Sequence, residues 1–87
     1  MSAPSVPKTQ YAAFDAMKEV ASSLKAAYLA NAATAESQFN EQWWIRQSWL
    51  VDDMIQTVGT TNLSEIRAAA DVFSARLREL KAGDKAA

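Results

Sequence analysis

The sequence predicts an all-α protein, an antiparallel helical hairpin or a three-helix bundle. Three observations carry that expectation. Two glycines and two prolines punctuate 87 residues, alanine, leucine, glutamate and lysine favour helix between them, and large apolar residues recur at three-four spacing.

Met1 to Pro7 is polar and holds both prolines, Pro4 and Pro7. It reads as a flexible segment ahead of a helix that Ser5 or Thr9 could cap. From Lys8 to Val58 there is no glycine or proline. The first half of this stretch carries Phe14, Met17, Ala21, Leu24 and Tyr28 on one stripe, so it has a face to bury. The second half carries Phe39, Trp43, Leu50 and Met54, flanked by Trp44, Val51, Ile55 and Val58. Gly59 then reads as a helix stop, because glycine takes positive φ without a Cβ clash.

The last helix opens at Asn62 with Glu65 three residues on, the pattern of a capping box. Leu63, Ile66, Ala70, Phe73, Leu77 and Leu80 form its stripe. Glu65 at its start and Arg76, Arg78 and Lys81 near its end suit the helix dipole. Gly83 reads as its stop.

Residues 29–38, LANAATAESQ, leave two arrangements open. Asn31 could end one helix and Thr34 cap the next, giving a single domain over residues 8–82 with helices at about 8–31, 35–58 and 62–82, and a flexible tail at 83–87. Alternatively residues 8–58 form one helix about 75 Å long. Its first half would then project, with coiled-coil-like self-association to cover it. In both arrangements the second and third segments are expected to pair about Thr60, with Trp43 near Leu77, Leu50 near Ala70, Met54 near Ile66, and Asp52 and Asp53 near Arg67.

Of 43 hydrophobic residues 18 are alanine, so the core is thin for a domain already at the small end. Small domains are commonly reinforced by disulfides, metals or oligomerisation. With no cysteine and no histidine, disulfides and ordinary zinc sites are excluded. Self-association or a protein partner remains, and a homo-oligomer is expected.

The least ordinary feature is QWWIRQSWLV, Gln42 to Val51. At about 100° per residue, Trp43 and Trp44 share the face of Leu50 and Met54, whereas Trp49 projects nearly opposite, beside Ile45. Trp49 and Ile45 are therefore either core covered by the first helix or, with Arg46, an exposed patch of the composition that dominates protein interfaces. The candidate partner-binding residues are Trp49, Ile45 and Arg46, together with the first-helix stripe Phe14, Met17, Leu24 and Tyr28.

Other classes of function find little support. The net charge is −1 and the pI near 5.2, which argues against nucleic acid. The basic group Arg76, Arg78, Lys81 and Lys85 is accounted for by dipole compensation and a solvated tail. Asp52 and Asp53 point about 100° apart on a helix, and no histidine is present to activate Ser22, Ser23, Ser48 or Ser64. No enzyme, metal or cofactor is expected. No signal peptide or apolar run of membrane-spanning length is evident, so a cytoplasmic location is expected. The acidic residues Glu36, Glu41, Asp52 and Asp53 around the tryptophans argue against an anionic membrane surface.

A short tryptophan-bearing hairpin is similar in outline to secreted partner proteins of the WXG type, but the tryptophan-any-glycine turn is missing. KAAYLANAATAESQFNEQ resembles granule-coating phasins in composition, without a diagnostic motif. The sequence thus points to a non-enzymatic interaction or assembly protein: a small adaptor, inhibitor or structural subunit. The alternative is an amphipathic helical protein coating a lipid or granule surface.

Overall fold

The computed structural model describes residues 8–60 and 62–86 of the chain, which form three helices that pack against each other: α1 Lys8–Ala33, α2 Gln38–Val58 and α3 Leu63–Ala86. Residues 8–58 are two helices, not one. The expected flexible segment at 1–7 lies outside the described residues.

α1 runs two residues beyond Asn31 because Ala32, just past it, is itself buried. Thr34 does not cap α2; its hydroxyl turns back onto the carbonyl oxygens of Ala30 and Asn31, both at 3.4 Å. The cap is Ser37, whose extended backbone and Oγ, 3.1 Å from the Asn40 amide, satisfy an orphan donor of the first turn of α2. Gly59 ends α2 with φ +63°, and its amide donates to the Ile55 carbonyl at 3.1 Å. Asn62 Oδ1 accepts from the Glu65 amide at 3.1 Å, so the expected cap of α3 forms. α3 then passes through Gly83 to Ala86. A single glycine costs a helix about 1 kcal/mol, too little to stop one by itself.

The chain runs up, down and up, with α1 antiparallel to α2 and parallel to α3. Lys25 of α1 meets Asp52 of α2, and Gln10 Nε2 donates to the Thr60 carbonyl at 3.1 Å, pinning the second turn beside the start of α1. The expected pairing of α2 with α3 is corrected here. Both pack chiefly on α1 and lean on each other only lightly, which leaves the bundle wider than thick, 23 by 15 Å in cross-section. Asp52 accordingly pairs with Lys25, not with Arg67. The core joins Met17, Ala21, Leu24 and Tyr28 of α1 to Val51 of α2 and to Ile66, Ala69 and Phe73 of α3. Small residues, Ala21, Ser48 and Ala69, are buried on all three helices, which lets helix axes approach closely.

The rotation of α2 also differs from expectation. Its inward seam is Trp44, Ser48, Val51, Ile55 and Val58, each buried or half-buried. The stripe expected to be inside, Phe39, Trp43, Leu50 and Met54, is exposed. Ser48 fits this seam because its hydroxyl is satisfied locally, donating to the Ile45 carbonyl at 2.6 Å.

Candidate interaction surface

Because α2 turns the stripe of Phe39, Trp43, Leu50 and Met54 outward, the protein carries large apolar side chains in water. Near the start of α2, Phe39 is 78% exposed and Trp43 is 48% exposed. They line a shallow hollow of about 350 Å³ with Gln38, Gln42 and Arg46. Trp43 is held in place from beneath. Its ring meets Trp44 edge-on with centroids 4.8 Å apart, and Trp44 lies 5.8 Å from Tyr28 in the core. Such aromatic pairs add about 0.5–1.5 kcal/mol each beyond area burial, so Trp43 is exposed yet positioned.

A groove opens between α2 and α3 where the two helices separate over α1. Leu50, Met54 and Val72 form its rims, with Leu24, Tyr28, Val51 and Phe73 beneath one half. The other half is a hollow of about 330 Å³ bounded by Met54, Thr57, Val58, Ala68, Ala69 and Val72. Gln47 and Arg76 stand at the first half, and Glu65 at the second.

Of the residues singled out from sequence, Trp49 and Arg46 are exposed and Ile45 is half-buried, so no helix covers Trp49. The first-helix stripe is a correction. Met17, Leu24 and Tyr28 are buried and Phe14 packs against the core, because α2 and α3 fold back onto the stripe themselves. In this fold Met17, Leu24 and Tyr28 belong to the core, Leu24 and Tyr28 beneath the floor of the groove, and Phe14 is half-buried. Lys18 Nζ sits 5.3 Å from the centroid of the Phe14 ring, closing its outer side. Sequence reasoning missed Leu50, Met54 and Val72. For Leu50 and Met54 the signal was present in the broad apolar face of α2, which is wider than a single neighbour can bury; Val72, on α3, lies outside the stripe read for that helix.

Burial raises the Tyr28 phenol above its ordinary range; the Arg76 guanidinium nearby opposes this and Glu79 adds to it. The acidic pair on α2 does not converge. Asp52 meets Lys25 and Asp53 is exposed. Among the described residues no three His, Cys, Asp or Glu side chains gather as metal ligands. Among the described residues, too, no helix is long and apolar enough to cross a membrane. No family model, curated protein or solved structure matches the chain.

Proposed function

We propose that this chain is a non-enzymatic interaction and assembly module that acts through the outward face of α2. The observation that carries this reading is the rotation of α2: a seam through Ser48 is buried while Phe39, Trp43, Leu50 and Met54 stay in water. Burying a large apolar side chain is favourable by about 1.5–3 kcal/mol. A helix that leaves four of them outside along one stripe offers an apolar face of the kind that marks a docking surface, and Trp49 adds a fifth exposed side chain on its other flank. Tryptophan and arginine are the residues that most often dominate binding energy, and Trp43, Trp49 and Arg46 lie on this helix within two turns.

Site-specific photocrosslinking in cells tests the reading. A photoreactive residue placed at Phe39, Trp43 or Trp49 should yield discrete protein adducts, this chain included among the possible partners. The same probe at Ser23, on the exposed polar side of α1, should yield none. Adducts to lipid in place of protein would overturn the reading in favour of a surface coat, and equal labelling from Ser23 would overturn it outright.

A further inference from the structure

Resting on the interaction reading above, we propose that the groove between α2 and α3 is the contact surface for a second copy of this chain, joined about a two-fold axis. The argument comes from how charge and shape are distributed along the groove. Glu65 lines one half and Arg76 the other. They stand eleven residues apart on α3, about three turns, and their midpoint falls level with the gap between Ala69 and Val72, near the middle of the groove.

A two-fold axis through that point reverses the groove onto itself. Glu65 then faces the second copy's Arg76, and the second copy's Glu65 faces Arg76, so two symmetry-related ion pairs form. Such self-complementarity is what an isologous interface requires. Arg76 already has Glu79 at 3.3 Å, but both side chains are exposed and a pair of that kind holds only weakly. It can be shared.

Shape follows the same symmetry. Leu50, 57% exposed, stands at the Arg76 half, while the Glu65 half is the hollow floored by Ala68 and Ala69. The two-fold operation carries each Leu50 toward the other copy's hollow. Val72, 52% exposed, lies next to the axis. The area is adequate as well. Two neighbouring helices, each about 10–12 Å across with side chains, over the roughly 32 Å length of α2 offer roughly 700 Å² per copy, close to the roughly 800 Å² per partner of a standard interface. Trp49, on the opposite flank of α2, stays outside the contact.

Sedimentation velocity of the full chain over about 1 to 100 μM tests the proposal, with circular dichroism to follow folding. The expected result is a monomer–dimer equilibrium that Val72→Glu abolishes while helical content is unchanged. Glu65→Arg and Arg76→Glu should each weaken dimerisation about tenfold at low salt, and the two combined should restore it. The charge swap decides the matter even if Val72→Glu proves unfolded. A wild-type chain that stays monomeric, a dimer that survives Val72→Glu, or a double swap no better than its singles would overturn the groove as the self-contact. A monomer that still crosslinks to another protein from Trp43 would leave the interaction reading standing.

Discussion

Lys25 Nζ lies 2.7 Å from Asp52 Oδ1, and among the described residues it is the one ion pair that joins two helices. It bridges α1 and α2, yet both side chains are substantially exposed. A double-mutant cycle with Lys25→Ala and Asp52→Ala should therefore give a coupling of about 0.5 kcal/mol at low salt. Repeating the cycle at about 0.5 M salt should shrink it, since screening acts on exposed pairs. A coupling of several kcal/mol would contradict the exposure of this pair.

Gly59 holds φ +63° and ψ −159°, a region that side-chain-bearing residues avoid. A Cβ built there meets nothing within 4 Å, so the cost of Gly59→Ala is one of backbone conformation and not of collision. Urea unfolding should show a loss of about 1–3 kcal/mol with an unchanged slope. Repacking neighbouring side chains should not recover it, because no neighbour is displaced.

The Tyr28 phenol links stability to pH. Its folded pKa is raised by burial, with Arg76 opposing and Glu79 assisting, so the folded state binds the phenolic proton more tightly than the unfolded chain, whose value is about 10. The stabilisation from this proton is fully present below pH 10. It is lost as pH rises through the higher folded value. Denaturation midpoints measured from pH 9 upward should fall more steeply in the wild type than in Tyr28→Phe, which has no proton to release.

How much of this was legible in the residues depends on which physical constraint is local. The helical class, the stop at Gly59 and the cap at Asn62 each rest on a few adjacent residues, and the structure agrees with all three. The boundary at Thr34 did not follow because a threonine hydroxyl serves as well on preceding carbonyls as on following amides, and Ser37 had the extended backbone a cap needs. The pairing of helices and the rotation of α2 are decided between elements. On α2, apolar side chains occupy most of the circumference, so a three-four count fits more than one seam. The seam through Ser48 and the stripe through Leu50 both satisfy that count, and apolar spacing along α2 alone does not choose between them. α1 became the hub because its arc from Phe14 to Tyr28, with Val20 and Ala13 beside it, is broad enough to receive both neighbours. That arc removed Met17, Leu24 and Tyr28 from the candidate surface and opened the groove at Leu50, Met54 and Val72.

The rotation of α2 can be tested at two adjacent positions. Val51 is 5% exposed and belongs to the core, whereas Leu50, its neighbour, is 57% exposed. A carboxylate at Val51 would be buried without a partner, at a cost of several kcal/mol, comparable to the whole stability of a small domain with a thin core. Val51→Glu should therefore lose most of its helical circular dichroism at 25 °C. Leu50→Glu, measured at a concentration where the chain is monomeric, should keep its helicity and change the unfolding free energy by no more than about 0.5 kcal/mol, as surface substitutions do. The opposite ranking would restore the seam that apolar spacing alone suggests, and the exposed face on which the interaction reading and the self-contact both depend would turn inward.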